Sequence, residues 1–349
     1  MNNSAPSRAA LIGLGMVSAT FAQAIANSKQ VRLAKILARS EESQTNFLNQ
    51  FPELGAQPAA SIDDIAGDPQ IDFIILATPP NARLAFIKAC ANAGKPVLME
   101  KPVERDLKRA AELVELCEAA NLPLGIVLQH RARPIVAELK QLLPRLGQLH
   151  AVEINVPWWR PQSYYDVPGR GTLERDGGGV LISQAIHTLD LALHLAGPVR
   201  TVTAMTRTTQ SHTMEAEDFV SAGLIFEHGA AGQLFATTAS FPGRGETIKL
   251  HGAHGSVELA AGTLSLHWRD GSSETIGQQA ASGAGADPMA FTSDWHQTII
   301  EDFADAIAHN RPPMVTGRDA LCVHRLIDAI TLAGQSGRTQ TVNGDQNAV

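Results

Sequence analysis

The first third of the chain alternates between short, continuously apolar runs and longer stretches with helical periodicity. Strands buried on both faces of a parallel sheet are apolar throughout, whereas helices that cover them carry a single apolar stripe. The predicted strands are Arg8–Ile12, Val31–Leu37, Ile71–Ala77, Lys95–Met99 and Leu124–Leu128. The predicted helices are Val17–Asn27, Arg83–Ala93, Asp106–Asn121 and a short one opened by a capping box at Ser61 and Asp64. This alternation predicts a doubly wound parallel sheet with helices on both faces.

The pattern changes after Leu149. One helical stretch, about Leu181–Ala196, is followed by strands joined through short, glycine-containing turns. These strands are Val199–Thr208, Asp218–Phe226, Gly232–Ser240, Thr247–Gly252 and Ser256–Ala260. The remaining predictions are a loop at Gly277–Asp287, amphipathic helices at Trp295–His309 and Gly317–Leu332, and a polar tail at Ser336–Val349. Short connections between successive strands predict a largely antiparallel open sheet backed by helices.

Composition narrows the class of protein. A chain of 349 residues exceeds one typical core, so about two domains are expected. The net charge of −7 is spread along the chain, and no basic stripe indicates a nucleic acid or membrane partner. No apolar run reaches the ~20 residues of a membrane span, and the start Met1–Ser7 does not resemble a signal peptide. Cys90, Cys117 and Cys322 are odd in number and widely spaced, which suits free, mostly buried thiols, and we expect a cytoplasmic protein.

A glycine-rich turn lies between the first predicted strand and the first predicted helix. Gly13 permits the tight turn, and Gly15 lets the backbone approach a pyrophosphate at the helix N-terminus. Met16 and Val17 continue this predicted cofactor-binding turn, and Ser18 replaces the third glycine of the usual fingerprint. The alternative is a plain glycine turn in another α/β protein. The series of strand–helix–strand units favours dinucleotide binding.

The end of the second predicted strand bears on the choice between NAD and NADP. A carboxylate there would accept hydrogen bonds from the ribose 2′-hydroxyl, but this chain has Ala38, Arg39 and Ser40. Arginine forms charge-assisted bonds to phosphate, so Arg39 and Ser40 are predicted to bind the 2′-phosphate of NADP. The alternative is a solvated surface arginine.

Two further groups of residues are candidates for catalysis. Glu100, Lys101 and Pro102 end a strand of the parallel sheet, the edge where such folds bind ligands. A glycine run then leads into a helix with Ser183, His187 and Asp190 spaced to share one face. Taken singly, a surface lysine and a satisfied core histidine are the commoner outcomes. Together with the glycine turn, the two groups favour proton transfer beside a bound nicotinamide.

In the order of these motifs the chain resembles the glucose–fructose oxidoreductase / inositol dehydrogenase / MocA (Gfo/Idh/MocA) family. The resemblance covers nearly the whole chain and includes segments 13–18, 77–81, 100–102, 177–190 and 302–312. It implies a Rossmann domain at residues 1–128 and a substrate-binding and oligomerisation domain at residues 129–349, whose C-terminal helices can pack back on the first.

The resemblance also assigns roles to residues. It implies that Lys101 and His187 are the catalytic pair and that a cis bond at Lys101–Pro102 shapes the site. Thr78, Pro79, Asn81 and Glu100 are expected to join Lys101 at the cofactor.

Departures from the family pattern bear on the substrate. Ser183 stands where inositol-dehydrogenase-like members carry aspartate, so a carboxylate–histidine relay from that position is not available. The segment 176–190 is closest to members that act on nucleotide-linked sugars, and those members usually have asparagine at the position of Ser183. Arg83 replaces a histidine that many members have after the Pro-Pro-Asn turn.

Other candidate substrate contacts come from an aromatic stretch and from the residues after the last predicted strand of the first domain. Trp159, Arg160 and Tyr165 could stack on a sugar ring and hold an anionic group, and Arg131 could face the substrate. The alternative for the aromatic stretch is packing at an interface. His251 and His254 have metal-like spacing but straddle a glycine turn without companion ligands, so no metal is predicted.

These features predict an NAD(P)-dependent oxidoreductase, with NADP preferred, that interconverts a secondary alcohol and a ketone on a sugar, cyclitol or sugar derivative. A homodimer or homotetramer is expected from the second sheet. One alternative is a dihydrodiol dehydrogenase, which the Ala38-Arg39-Ser40 pattern also resembles. The alternative from another class is a non-catalytic nicotinamide-binding sensor, which should lack the lysine or the histidine.

Overall fold

The computed structural model describes residues 5–278, 285 and 291–342 of the chain. The chain forms two compact units. The first unit comprises residues 1–132 and 292–321, and the second comprises residues 133–291 and 322–349. Each unit is therefore built from two separate stretches of sequence.

The first unit contains a six-stranded sheet whose described strands all pair in parallel. Its strands are β1 (Ser7–Ile12), β2 (Val31–Leu37), β3 (Gln57–Pro58), β4 (Phe73–Leu76), β5 (Val97–Glu100) and β6 (Leu124–Val127). The order across the sheet is β3-β2-β1-β4-β5-β6. The chain thus winds from β1 to one side and then, starting at β4, to the other, which confirms the predicted doubly wound sheet.

Ten α-helices are described along the chain. They are α1 (Ser18–Asn27), α2 (Glu41–Gln50), α3 (Asp63–Ala66), α4 (Arg83–Ala93), α5 (Leu107–Ala119), α6 (Pro134–Leu146), α7 (Gln162–Tyr165), α8 (Ile186–Ala196), α9 (Asp294–Ala308) and α10 (Gly317–Ser336). A π-helical turn, Leu181–Ala185, leads directly into α8. Within the part of the chain that the structure describes, no helix is long and apolar enough to span a membrane.

Local signals begin and end the helices of the first unit. The Ser61 hydroxyl accepts a hydrogen bond from the Asp64 amide, and the Asp64 carboxylate accepts one from the Ser61 amide, so the predicted capping box is formed. Gly94 ends α4 in the left-handed conformation. Helix α9 packs against α1, and the Phe303 ring lies 5.5 Å from that of Phe73 in the core beneath the sheet.

The second unit contains a nine-stranded sheet in the order β14-β13-β12-β11-β7-β10-β9-β8-β15. The strands are β7 (Leu149–Pro157), β8 (Val199–Arg207), β9 (Phe219–Phe226), β10 (Ala231–Thr237), β11 (Thr247–Gly252), β12 (Gly255–Ala260), β13 (Thr263–Trp268), β14 (Ser273–Gly277) and β15 (Gln340–Thr341). Neighbouring strands are antiparallel apart from β7 and β10, which pair in parallel. The sheet is therefore largely antiparallel, as predicted, with one parallel pairing at its centre.

Helices cover one face of this sheet. Helix α8 packs on β7 and β11, while α6 packs on β12 and β13. Val152, Ile154 and Val156 of β7 point to the covered face and are buried, and the residues between them are partly exposed. The alternation leaves the opposite face of the sheet open.

Several elements of the structure were not predicted. They are α2, α6, α7, β3, β7, β13, β14 and β15. The predicted tail at Ser336–Val349 is wrong in part, because α10 continues to Ser336 and residues 340–341 pair with β8. Most of the predicted loop Gly277–Asp287 and the last seven residues, 343–349, lie outside the described residues.

Candidate active site

The predicted cofactor turn follows β1. Gly13 has a φ of +98°, and a side chain there would approach the Ala77 and Thr78 backbone to within 2.7–2.8 Å. Only glycine fits between the two strand ends. A Cβ at Gly15, by contrast, would meet no described atom within 4 Å, so the backbone at Gly15 is open to a ligand.

The strand order gathers three predicted site residues at one edge of the sheet. Strands β1, β4 and β5 are neighbours and parallel, so the residues that follow them, Gly13, Thr78 and Lys101, lie at the same edge. The Thr78 hydroxyl oxygen is buried without a hydrogen-bond partner among the described residues. An open glycine backbone beside an unsatisfied hydroxyl fits a dinucleotide cofactor.

The other predicted cofactor residues surround this edge. Met16 is 46 % exposed, and Val17 occupies the N-cap position of α1. Pro79 and Asn81 are exposed in the turn after β4.

Arg83 joins the loops that follow β4 and β5. Its side chain is buried, and Nε and Nη2 donate to the Thr78 carbonyl at 3.1 and 2.9 Å. Nη1 donates to the Glu100 carbonyl at 2.5 Å and to the Pro102 carbonyl. The guanidinium therefore holds the backbone on both sides of Lys101.

Glu100 and the lysine that follows it are also fixed locally. The Glu100 carboxylate accepts a hydrogen bond from the Lys101 amide at 3.0 Å, and its other oxygen lies 3.6 Å from Nε2 of buried His296. The Lys101–Pro102 peptide is cis, as the resemblance implied.

The residues after β2 are exposed. Arg39 is exposed and makes no hydrogen bond or ion pair with another described residue. The Ser40 hydroxyl caps α2 by accepting a hydrogen bond from the Ser43 amide at 3.2 Å. Ser40 thus has a structural role, and its hydroxyl is already engaged.

Arg131 lies in the 3-10 turn Gln129–Ala132 that follows β6. Its guanidinium is 3.8 Å from the Asp319 carboxylate.

The helix that carries the predicted catalytic histidine belongs to the second unit. His187 and Asp190 are buried in α8, and Ser183 is partly exposed in the π-helical turn before it. The start of this helical segment is held by Glu217. The Glu217 carboxylate accepts hydrogen bonds from the Gly179 and Leu181 amides at 3.1 and 3.0 Å.

The structure brings most of the predicted aromatic stretch into one buried cluster. The Tyr165 hydroxyl lies 2.7 Å from that of Thr238, and burial raises the pKa of this phenol. Arg160 is buried and donates to the Trp159 carbonyl at 2.8 Å. The Trp159 ring contacts that of Phe241, which is 75 % exposed, with centroids 5.1 Å apart.

Beneath this cluster lies a histidine–aspartate pair. Nδ1 of His212 is 2.7 Å from the fully buried Asp218 carboxylate, and Nε2 is 2.8 Å from the Arg160 carbonyl.

The histidines with metal-like spacing lie apart from this cluster. Nε2 of His251 is 3.0 Å from the Glu153 carboxylate, and His254 lies against Gly147. Among the described residues, no group of three or more His, Cys, Asp or Glu side chains could hold a metal ion.

Two family models match the chain. Residues 7–127 match the model described as oxidoreductase family, NAD-binding Rossmann fold. Residues 136–258 match the GFO/IDH/MocA C-terminal domain. The chain belongs to the Gfo/Idh/MocA family of oxidoreductases. The resemblance drawn from the motifs is confirmed, and so are the NAD-binding domain and the oxidoreductase class.

Among similar proteins, D-apiose dehydrogenase of Rhizobium rhizogenes is 25 % identical over 353 residues, which cover 95 % of this chain and 96 % of the relative. Uncharacterized protein YMR315W of Saccharomyces cerevisiae is 27 % identical over 203 residues, 57 % of this chain and 58 % of that protein. A crystal structure of the WlbA dehydrogenase from Bordetella pertussis in complex with NADH and UDP-GlcNAcA superposes with a TM-score of 0.83, at 26 % identity, over 97 % of this chain and 99 % of that one.

Several residues of this Gfo/Idh/MocA member were not singled out as site residues from the sequence. They are His212, Glu217, Asp218, Phe241 and His296. The sequence shows Arg83 only as a departure from the histidine that many members of the family have at this position. The one available signal was the adjacent carboxylate pair Glu217-Asp218 at the start of a predicted strand, because two charges there need partners when the strand is buried.

Proposed function

We propose that the protein interconverts a secondary alcohol and the matching ketone of a sugar or sugar derivative, with a nicotinamide dinucleotide as redox partner. The observation that carries the proposal is the edge at which Gly13, Thr78 and Lys101 follow three neighbouring parallel strands. A proton-transferring group beside a dinucleotide cradle is what alcohol oxidation requires.

The substrate class rests on the family and on two of the three similar proteins, D-apiose dehydrogenase and the WlbA dehydrogenase. One of them is named for the sugar D-apiose, and the crystal structure of the other contains UDP-GlcNAcA, a nucleotide-linked sugar derivative. The resemblance of segment 176–190 to members acting on nucleotide-linked sugars favours the second type. Trp159 and exposed Phe241 offer aromatic faces for a ring, and Arg131 offers a cation.

Each catalytic residue has a distinct role in the proposal. A bound nicotinamide would supply the hydride acceptor for oxidation and the hydride donor for reduction. Lys101 donates a hydrogen bond to the substrate oxygen and stabilises negative charge that develops on it. His187 accepts the hydroxyl proton during oxidation and returns it during reduction, since imidazole titrates near neutral pH. Ser183 is at most a binding residue, because a hydroxyl cannot replace a carboxylate behind the histidine.

In the proposal, Arg160 and Tyr165 do not form an exposed site that binds an anionic group of the substrate. Both side chains are buried, Nη1 of Arg160 donates to the Trp159 carbonyl, and the Tyr165 hydroxyl is hydrogen-bonded to that of Thr238. We propose that they support the aromatic surface that Trp159 presents.

We further propose a preference for NADP over NAD. Strand β2 ends at Leu37, which leaves Ala38 and exposed Arg39 where a carboxylate would otherwise meet the ribose. The absence of a described partner for Arg39 leaves its guanidinium available to a phosphate.

The proposal is tested by turnover. Free sugars, cyclitols, nucleotide-linked sugars and dihydrodiols are offered with each cofactor, and absorbance of the reduced cofactor is followed. Lys101→Ala and His187→Ala should each lower turnover by about a hundredfold or more. His187→Ala should also leave cofactor binding nearly unchanged, because the predicted cofactor residues belong to the first unit. Exposed Lys108→Ala and His150→Ala are the matched controls.

Each failure has a separate meaning. Turnover of dihydrodiols alone would replace the sugar by that substrate. Cofactor binding without turnover of any compound would favour a sensor. Wild-type rates in either alanine variant would remove that residue from the mechanism.

A further inference from the structure

The helical segment that carries His187 begins without a cap from its own sequence. Val180 occupies the N-cap position and supplies no side-chain hydrogen bond. The first amides of a helix lack intrahelical acceptors and need partners from elsewhere. Here a single residue 36 positions further along the chain supplies them.

Glu217 accepts hydrogen bonds from three consecutive backbone amides. Its carboxylate oxygens accept hydrogen bonds from the Gly179 and Leu181 amides at 3.1 and 3.0 Å. Its backbone carbonyl accepts one from the Val180 amide at 2.8 Å. A carboxylate at this end of a helix also interacts favourably with the helix dipole. Burial raises the pKa of Glu217, whereas the amide hydrogen bonds act in the opposite direction.

The contact is too close to tolerate a side chain. A Cβ at Gly179 would lie 1.7 Å from the Glu217 carbonyl oxygen and 2.7 Å from the carbonyl carbon. The glycine before the helix therefore lets the two backbones touch, and the position of the helix start is set by that of Glu217.

Glu217 is itself held by its neighbour. The Asp218 carboxylate accepts hydrogen bonds from the Thr209 amide and hydroxyl at 2.7 and 2.6 Å and from His212 at 2.7 Å. His212 in turn contacts the Arg160 carbonyl. The helix start is thus held by Glu217, and the aromatic stretch is held through His212 by the adjacent Asp218.

We infer that Glu217 is a positioning residue for His187, an inference that rests on the proposed function. The imidazole follows the clamped turn by six residues of continuous helix, about 9 Å along the axis. The intervening π-helical turn is a less regular hydrogen-bonding arrangement, of a kind often found at functional sites. Holding the first turn holds the orientation of the base, and misplacement by about 1 Å can cost a hundredfold in rate.

The test compares Glu217→Gln with Glu215→Gln. The glutamine amide keeps the size of the side chain but turns one acceptor into a donor that faces a backbone amide. Glu215 is the matched control, because its exposed carboxylate also accepts a backbone amide, that of Leu173 at 3.1 Å. We expect Glu217→Gln to lower kcat by about tenfold to a hundredfold, with little change in the substrate KM, and Glu215→Gln to stay within about twofold of wild type.

Cofactor affinity and unfolding distinguish positioning from general damage. NADH or NADPH binding should be unchanged in Glu217→Gln, because the predicted cofactor residues belong to the first unit. If this variant does not fold, Glu217→Asp is judged by the same kcat and KM criteria. Loss of folding in both variants would contradict a local positioning role.

His187→Ala, measured beside them, separates this inference from the proposed function. An active His187→Ala would overturn the proposed function together with the inference. An inactive His187→Ala with wild-type kcat in Glu217→Gln would overturn the inference alone.

Discussion

The buried guanidinium of Arg83 is unusual because its main partners are carbonyl groups of the backbone. Burial lowers the pKa of Arg83 to about 10, while the charges of Glu100 and Glu104 raise it. The side chain therefore remains charged at neutral pH. Its donors satisfy carbonyls in two loops that would otherwise lack partners in the interior.

Removing this side chain should cost stability. We expect Arg83→Met to lower the free energy of unfolding by about 3 kcal/mol or more, because several buried carbonyls lose their donor. Arg83→Lys should recover only part of that loss, since an ammonium lacks the planar fork. Urea unfolding measures both, with exposed Arg32→Met as control. An unfolding midpoint for Arg83→Met equal to that of the control would contradict the role assigned to the guanidinium.

The proposed cofactor preference depends on Ala38 and Arg39. Wild-type protein should bind NADPH more tightly than NADH, and Arg39→Ala should weaken NADPH binding by about tenfold to a hundredfold, with little effect on NADH. Ala38→Asp should invert the preference through repulsion of the phosphate. Fluorescence titration of both cofactors measures these affinities. Tighter binding of NADH by the wild type would refute the preference.

For single residues, the sequence indicated which positions belong to the candidate site, but it did not indicate which contacts hold their side chains in place. Gly13 and Lys101 were predicted from motifs whose spacing reflects the backbone. The role of Arg83 depends on carbonyls that become neighbours only when β4 and β5 pair. A side chain that binds distant backbone leaves no periodic pattern.

The elements of the first unit followed the apolar pattern closely because their strands are buried on both faces. Helix α2 was missed since only Gln44 and Phe47 are buried along it, which leaves no apolar stripe. Strand β14 was missed for a similar reason, as it is mostly exposed. The parallel pairing of β7 and β10 could not be predicted, because β7 itself was not identified and long-range pairing has no local signal.

The glycine run before α8 lies in close contact with Glu217, and this contact can be tested by substitution. Gly179→Ala should destabilise the second unit and lower turnover, because a Cβ there overlaps backbone atoms that cannot move independently. Gly178→Ala is the matched control, since its Cβ would meet a methyl of Ile182 at 3.1 Å, which can shift slightly. Thermal unfolding and kcat are measured for both. Equal effects of the two substitutions would argue against the contact.

For the whole molecule, the open face of the second sheet leads us to expect a homo-oligomer. Met205, Ser221 and Phe235 stand side by side on three neighbouring strands, and the rings of Phe235 and Phe219 lie 5.6 Å apart. Met205 is 49 % exposed. Apolar groups of this kind on a broad sheet favour association of two copies.

A single substitution tests that expectation. A Cβ at Gly223 would meet no described atom within 4 Å, so Gly223→Arg should fold normally and yet obstruct packing against the open face. We expect light scattering to give a dimer or tetramer mass for wild type and a monomer mass for Gly223→Arg. Glu112→Arg, on exposed α5 surface, should leave the mass unchanged. A monomeric wild type at micromolar concentration would refute the expectation.

The return of α9 to the first unit has a consequence for synthesis on the ribosome. Phe303 fills a space beside Gly125 that closes the core under the parallel sheet, yet it is made long after that sheet. The intervening residues, 133–291, take roughly 8–30 s to translate at about 5–20 residues per second. Throughout that interval the nascent nucleotide-binding half lacks its last helix, and Phe73 lacks its neighbour. The nascent chain is therefore expected to expose part of this core until α9 has been synthesised.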